Sequence, residues 1–275
     1  MKMQFPRKRF SILFVLSAAA TLMLAFASLP TPKLPAASLP GADNPAEQAK
    51  GANPAEARFL PLVPGAYWVY EGTVEWGADS DLDKSTTTKV TLTSKVERVY
   101  ETPEFTMAVV SGFPSDQDWA TGQVEPKRSL LIETRKHEVL VDTLPPDFNF
   151  AKLEKDPAAL ANLLAGDNVL FRWPLKKGLK FGDAESVKRD DDMYCWMVIE
   201  QQSKKLGEIK GLAPRQAEVF LLRYATNPDD TLMEVSPGIG VLSYEYHHHG
   251  TVANTSLTLV EFHSGETPHS SGDAK

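Results

Sequence analysis

The chain of 275 residues carries 29 Lys and Arg against 36 Asp and Glu, which gives a formal net charge of −7. Nucleic-acid binding requires a basic surface, so we expect no nucleic-acid partner. Hydrophobic residues make up 42% of the chain and charged residues 24%, which is the composition of a folded globular protein and argues against general disorder.

The first 27 residues have the features of a secretory signal peptide. Lys2 and the Arg7–Arg9 segment form a basic start, residues 10–27 form an apolar run, and the run ends in an A-x-A cleavage site, Ala25-Phe26-Ala27. We therefore expect export to the periplasm or the extracellular space. The run is also just long enough to span a bilayer, so an uncleaved signal anchor is the alternative, and membrane contact is expected only through this segment.

The rest of the chain divides into a tether, one domain and a tail. Residues 28–57 contain six prolines, many alanines and no aromatic residue, which predicts a flexible tether. Residues 264–275 are polar and are predicted to be disordered. A single β-rich domain is expected at 58–263. Its one cysteine, Cys195, lies in an apolar run, which predicts a buried side chain and excludes an intramolecular disulfide.

Most of the domain has the pattern of β-strands. From Ala66 to Trp76, large apolar side chains alternate with polar ones, which is the period-two signal of a half-buried strand. Similar runs recur to the end of the domain. The one clear helix is predicted at 156–166, with Asp156 as its cap and Pro157 in its first turn. The predicted fold is mainly β (β-rich α+β): a strongly twisted antiparallel sheet or half-barrel with one inserted helix.

A short motif occurs twice. "PLVPGAYW" begins at Pro61 and "PLKKGLKF" at Pro174, so both share the pattern P-L-x-x-G-x-x-aromatic, and a β-rich stretch follows each. The proline and glycine favour a turn, and Trp68 or Phe181 is placed to anchor the strand that follows. We interpret the pair as a structural repeat, with chance similarity as the alternative.

The opening "FLPLVPGAYWVYEG" and the closing "SPGIGVLSYEYHHHGTVANTSLTLVEF" resemble the DUF3108-like, or TapB-type, family of uncharacterised exported bacterial β-domains. The resemblance covers residues 58–263 and is carried by turns and aromatic residues. It implies a secreted or envelope-facing β-sheet protein, and it brings no catalytic residues.

The segment "YEYHHHGT", from Tyr244, is the most unusual feature of the chain. As a strand it places Tyr244, Tyr246 and His248 on one face and Glu245, His247 and His249 on the other. Glu245, His247 and His249 are thus the candidate metal ligands, since imidazole and carboxylate suit zinc or copper. The structural alternative is a solvated strand end in a hairpin that pairs with "SLTLVEF".

No familiar catalytic or cofactor-binding motif is present, so the sequence predicts no cofactor and gives no ground for naming an enzymatic activity. We expect a non-enzymatic envelope protein that binds an apolar ligand or a segment of an envelope protein on a concave sheet face. The aromatic residues predicted to line that face are Trp68, Tyr70, Trp76, Trp173 and Trp196. The alternative is a metal-binding protein or metal-dependent enzyme centred on Glu245, His247 and His249.

Overall fold

A computed structural model describes residues 59–77, 85–119, 126–136, 138–144, 148–164, 168–248 and 253–265. These residues form one antiparallel sheet of twelve strands that is nearly closed into a barrel. The strands are β1 (Tyr67–Trp76), β2 (Thr86–Glu101), β3 (Phe105–Ser111), β4 (Arg128–Thr134), β5 (Glu138–Thr143), β6 (Val169–Arg172), β7 (Lys180–Phe181), β8 (Trp196–Leu206), β9 (Arg215–Ala225), β10 (Asp229–Ser236), β11 (Gly240–His248) and β12 (Ala253–His263). The predicted mainly β fold is confirmed. The predicted signal segment (1–27) and tether (28–57) lie outside the described residues, as does the tail beyond Gly265.

The sheet consists of two successive meanders. Its strand order is β6-β5-β4-β3-β2-β1-β12-β11-β10-β9-β8-β7, and each hydrogen-bonded pair is antiparallel. Each half therefore contributes six strands, β1–β6 and β7–β12, and the halves join through β1 and β12. The end strands of this order, β6 and β7, lie beside each other with no hydrogen-bonded ladder between their described residues. We call this junction the seam.

The alternation read from the sequence determines which side chains enter the core. In β1, Trp68, Tyr70 and Val74 are buried whereas Glu71 is exposed. Such alternation is expected because successive side chains of a strand point to opposite faces. The predicted pairing of "YEYHHHGT" with "SLTLVEF" is confirmed, since β11 pairs with β12. The turn predicted at 250–255 is too long, because β12 begins at Ala253 and Tyr246 pairs with Thr255. Cys195 is buried, as predicted.

Two short helices connect β5 to β6. Helix α1 spans Phe150–Leu153 and helix α2 spans Pro157–Leu164, where a helix was predicted. The predicted cap is present, because Asp156 Oδ1 accepts the backbone N–H of Ala159 at 3.0 Å. Helix α1 has four residues, which is too short for a periodic hydrophobic pattern, so the sequence did not predict it. None of the helices in the described parts of the chain is long and apolar enough to cross a lipid bilayer.

The motif that occurs twice in the sequence begins each half of the sheet. Leu62 and Leu175, the leucines of the two copies, are both buried. Trp68 and Phe181, the aromatic residues three positions after the glycines, are also buried and stand at the starts of β1 and β7. The repeat predicted from the sequence is therefore a repeat in the structure.

Strand direction sorts the connections onto two ends of the sheet. Tyr67 pairs with His263, so the described domain begins and ends its sheet at one end, which we call the terminal end. In a meander the strands alternate in direction, so β1, β3, β5, β7, β9 and β11 all end at the other end of the sheet, which we call the distal end. The distal end thus gathers loops from both halves.

The two junctions between the halves are closed to different extents. Strands β1 and β12 pair along ten residues of β1, and an added Cβ at Gly72 would lie 1.8 Å from the carbonyl oxygen of Ser256, so only glycine permits this approach. At the seam, β6 has four residues and β7 has two. Phe59 packs there against Phe171, with ring centroids 4.6 Å apart, and against Trp173, at 5.8 Å. Short strands leave the distal end of the seam open.

Candidate ligand-binding cavity

A cavity of about 570 Å³ lies at the distal end, beside the seam. Its walls come from both halves of the sheet: the connections after β3, β5, β7 and β9 and the inward side of β8 to β11. Ligand sites in proteins have volumes of roughly 300–1,000 Å³, so the space suits a small molecule. We call it the seam cavity. Its described lining residues fall into two main groups, carboxylates and aromatic rings, with hydroxyl and amide side chains between them.

The seam cavity is acidic. Its lining includes five aspartates and no lysine or arginine among the described residues; the aspartates are Asp116, Asp118, Asp142, Asp183 and Asp229. Asp116 accepts a hydrogen bond from Ser129 Oγ at 2.5 Å, and Asp142 accepts one from the backbone N–H of Thr143 at 2.7 Å. These two donors are neutral, so they add no positive charge next to Asp116 or Asp142.

Asp183 is held in its ionised form. It follows β7 at the seam, and its Oδ2 accepts both the backbone N–H and the hydroxyl of Ser186, each at 2.8 Å. The backbone hydrogen bond from Ser186, followed by the hydroxyl hydrogen bond, holds the pKa of this carboxyl below its ordinary value. Within the described residues, Asp183, Asp116 and Asp142 form no ion pair.

Asp229 is the centre of a hydrogen-bonded cluster at the edge of the seam cavity. Its Oδ1 accepts the hydroxyl of Tyr246 at 2.7 Å and lies 2.5 Å from His248 Nδ1, and the hydroxyl of Thr226 lies 3.3 Å from Oδ2. Partial burial favours the neutral acid, but the hydrogen bonds from His248 and Tyr246 outweigh it and lower the pKa of Asp229. Burial, together with the negative charge of Asp229, raises the pKa of Tyr246, which keeps this hydroxyl a donor.

The second group of lining residues is aromatic. The rings are Trp119, Tyr194, Trp196, Tyr224, Tyr244 and Tyr246. Two pairs are in contact: the rings of Trp196 and Tyr224 are 5.2 Å apart and those of Trp119 and Tyr244 are 6.0 Å apart. Trp196, Tyr224 and Tyr246 lie in one row across the strands, because Trp196 pairs with Tyr224, Tyr224 with Thr231 and Thr231 with Tyr246. Trp119, from the connection after β3, packs against Tyr244 of the same strand as Tyr246.

The loop that leads into β8 is strained where it borders the seam cavity. Asp192 and Tyr194 have φ of 57° and 62°, which is uncommon for residues other than glycine. The backbone N–H of Tyr194 donates to the carbonyl of Ala225 at 2.7 Å and fixes this turn against the end of β9. The Arg189 guanidinium lies 5.2 Å from the centre of the Tyr194 ring and also contacts Asp191, whose pKa it lowers to about 2 through a hydrogen bond.

Two of the five aromatic residues predicted to line a binding face are in the core. The indole N–H of Trp68 donates to the carbonyl of Ile239 at 2.6 Å, and the hydroxyl of Tyr70 donates to the carbonyl of Val241 at 3.1 Å. Gly238 also donates its backbone N–H to the carbonyl of Phe59 at 3.1 Å. The opening and closing motifs of the domain therefore contact each other at the terminal end, where they join the sheet's first and eleventh strands.

The other three predicted aromatic residues lie in different places. Trp173 is half-buried beside Phe59, and its ring meets that of Phe220 edge to face at 6.0 Å. Trp76 is half-buried at the end of β1. Trp196 is the one of the five that borders the seam cavity.

The predicted metal ligands do not come together as a set within the described residues. His247 Nε2 lies 3.8 Å from Glu245 Oε2, but both side chains are nearly half exposed, and His247 Nδ1 lies 2.9 Å from Asn254 Oδ1. His249 lies outside the described residues. His248, on the other face, contacts Asp229 instead. In the described parts of the chain, no three His, Cys, Asp or Glu side chains are grouped as metal binding requires.

A second concavity lies on the outer face of the sheet, beneath the connection between β8 and β9. It is lined by aliphatic residues, including Leu221, Leu232 and Leu242, and by charged residues. Its lining charges include a pair that is already neutralised, since Lys204 Nζ lies 2.9 Å from Glu234 Oε2. One pair of its charged side chains is therefore already matched within the chain.

Sequence reasoning missed most residues of the seam cavity because they lie in connections or at strand ends. Asp116 follows β3, Asp183 follows β7 and Asp229 begins β10, so they share no local motif. Strand order was the signal that could have found them: in an antiparallel meander, alternate connections share one end of the sheet. Tyr244 and Tyr246 lie on one face of β11, as predicted.

Two solved structures resemble the chain at low similarity. One is a predicted exported protein with a YmcC-like fold from Bacteroides fragilis, at 11% identity and a TM-score of 0.36, over 75% of this chain and 99% of that one. The other is a predicted lipoprotein from Parabacteroides distasonis, at 13% identity and a TM-score of 0.37, over 75% and 98% of the respective chains. No protein-family model and no curated protein matches the chain. The DUF3108-like membership stays a prediction, and function has to be inferred from the chain's own residues.

Proposed function

We propose that this chain is a non-enzymatic exported protein that binds a small ligand in the seam cavity. The observation that carries the proposal is the cavity itself: a space of about 570 Å³ bounded by both halves of the sheet, with aromatic rings and several polar side chains in its lining. Concave sites of this size, with apolar surface and a few placed polar groups, are the usual form of small-molecule sites. The inner face near Trp68 and Tyr70 is packed, so the binding surface moves from the predicted concave face to the distal end.

Export is supported by the sequence. The basic start, the apolar run at 10–27 and the A-x-A site together match a secretory signal. A sheet of this size can be stable without a disulfide, and the single thiol of the chain is buried. Burial raises the pKa of the Cys195 thiol, which keeps it in the unreactive neutral form.

The proposal is tested by filling the cavity. Asn168 is an exposed lining residue with an amide side chain at the start of β6. We expect Asn168→Trp to leave the melting temperature close to that of the original chain and to abolish the stabilisation that a small-molecule panel produces in it, since a ligand that binds only the folded state raises its stability. Gln202→Trp, on an exposed position of β8 outside the cavity, is the matched control and should respond to ligands like the original chain. A ligand that stabilises Asn168→Trp as well as the original chain binds elsewhere, and the proposal is then wrong.

A further inference from the structure

The chemistry of the seam cavity selects a class of ligand. We infer, on the basis of the proposed function, that the seam cavity takes a small organic cation: a quaternary ammonium or polyamine group with an apolar body. The inference joins three observations, namely the charge of the lining, the arrangement of the rings and the absence of a competing internal cation in the described lining.

The charge of the lining favours a cation. Five carboxylates border one cavity, and two of them, Asp183 and Asp229, are kept ionised by hydrogen bonds from within the chain. Carboxylates only accept hydrogen bonds, so they repel an anionic ligand, and the described lining holds no lysine or arginine to offset that repulsion. The carboxylates together attract a cation, and a concave site strengthens this attraction.

The rings supply the second part of a cation site. The face of an indole or phenol ring attracts a positive charge within about 6 Å of its centre. Trp196 and Tyr224, which contact each other, and Trp119 and Tyr244, which also do, border the same space as the carboxylates. The chain already uses this attraction at another lining ring, since the Arg189 guanidinium lies 5.2 Å from the centre of the Tyr194 ring.

Two cations beside the loop that leads into β8 form ion pairs of their own. Arg189 pairs with Asp191 of that loop, and Lys180 of β7 pairs with Asp192. Neither Arg189 nor Lys180 belongs to the lining. His248 contacts Asp229, whereas Asp116, Asp142 and Asp183 form no ion pair within the described residues. At these three carboxylates a bound cation would not have to displace an ion pair formed within the described residues.

The experiment compares ligands that differ only in charge. Choline and its neutral carbon isostere, 3,3-dimethyl-1-butanol, have nearly the same shape. Isothermal titration of the mature chain with each compound therefore measures how much the positive charge contributes to binding affinity. Spermidine and N-acetylglucosamine extend the panel to a polyamine and to a neutral sugar. We expect one cation per chain, with the neutral isostere weaker by about tenfold or more, as a desolvated cation–aromatic contact implies. Raising the salt concentration should weaken cation binding.

Variants locate the binding. Asp183→Asn can still accept the hydrogen bonds from Ser186 but removes one negative charge. Tyr224→Leu removes one ring. Each variant should lower the affinity for choline or spermidine by about tenfold. The matched controls lie outside the cavity: Asp230→Asn, where the carboxylate pairs with Arg223, and Tyr100→Leu, where the ring stacks on Phe150. Both controls should bind like the original chain.

The outcomes separate the two proposals. If choline and its neutral isostere bind equally, or if Asp230→Asn weakens the cation as much as Asp183→Asn does, the cation inference is overturned. If N-acetylglucosamine or the neutral alcohol binds, the cations do not, and Asn168→Trp blocks it, the cavity is a ligand site for a neutral molecule and only the cation inference fails. If Asn168→Trp leaves the binding of every active compound unchanged, or no compound of the panel binds, both proposals fail.

Discussion

Gly65 and Gly178 occupy equivalent positions in the two halves of the sheet. Their φ values are 80° and 85°, and each donates its backbone N–H to the carbonyl of a valine in the next strand, Gly65 to Val96 at 3.3 Å and Gly178 to Val198 at 2.8 Å. Each of these valines donates its own N–H back, to the residue after the glycine, at 2.9 Å in both cases. Each valine also precedes an irregularity in the pairing of its strand. The two copies of the motif thus form one and the same turn.

This equivalence predicts equal costs for replacing the two glycines. We expect Gly65→Ala and Gly178→Ala each to lower the free energy of unfolding by about 1–2 kcal/mol, because alanine is strained in the left-handed region. Steric overlap contributes nothing, since an added Cβ meets no atom within 4 Å at either position. Urea denaturation measures both. Gly207→Ala, where the space is also open and φ is not in the left-handed region, should be neutral or slightly stabilising. Unequal effects of the two replacements would contradict the equivalence.

The aromatic anchors of the two turns provide a second prediction. Trp68→Ala and Phe181→Ala should each destabilise the domain by about 3–5 kcal/mol, as truncation of buried aromatic side chains does. Trp68→Phe keeps most of the ring but loses the hydrogen bond to the Ile239 carbonyl, so we expect a smaller loss of about 1–2 kcal/mol. Guanidinium denaturation gives the order of the three variants. An alanine variant with an unchanged midpoint would show that its aromatic residue is not an anchor.

The repeat shows what the sequence could and could not predict. Turn glycines and anchoring aromatics are local in sequence, so Gly65, Trp68 and their counterparts were identified from the pattern alone. The inner faces of β1 and β11 were also predicted, since alternation is a local property. The seam cavity was not, because its carboxylates come from separate connections and strand ends, and only strand order brings these together. Trp68 and Tyr70 were predicted at a binding face because alternation does not distinguish packed core from open cavity.

The cluster around Asp229 predicts how stability depends on pH. In the folded chain its pKa lies below the ordinary value of 3.8, so the unfolded chain binds a proton at Asp229 more readily than the folded chain does. The stabilisation by the ionised carboxylate is then fully present well above pH 3.8 and is lost as the pH falls through the folded pKa. We expect Asp229→Asn to be less stable than the original chain at pH 7, with a difference that shrinks below about pH 4. Chemical denaturation at a series of pH values measures it, and a constant difference would assign the effect to lost packing.

The histidine segment is tested by comparing its two faces. The double change His247→Ala with His249→Ala should alter stability by no more than about 0.5 kcal/mol if these residues belong to a solvated strand end. Tyr246→Ala should cost about 2–3 kcal/mol, because a half-buried ring and its hydrogen bond to Asp229 are lost. Metal analysis of protein purified without added metal completes the comparison. Stoichiometric zinc or copper that disappears with the histidine pair would establish the metal site instead.

Export is tested by the start of the mature protein. Cleavage after Ala27 predicts an N-terminus at Ser28 in the exported fraction, because A-x-A directs cleavage to that bond. N-terminal sequencing after cell fractionation reads it directly. An intact Met1 in the membrane fraction would instead establish the signal anchor, and full-length protein in the cytoplasm would contradict export.

The pairing of Tyr67 with His263 determines where the protein can be immobilised without blocking the seam cavity. Strand β1 begins and strand β12 ends at the terminal end, whereas the seam cavity lies at the distal end. A capture tag fused beyond either strand therefore immobilises the domain by the side that carries no candidate site. On a sensor chip, every correctly captured molecule presents the same face to the flowing solution. A donor dye at either end and an acceptor on a bound ligand would also be separated by the length of the sheet, so ligand entry at the distal end could be followed as a distance from one fixed reference.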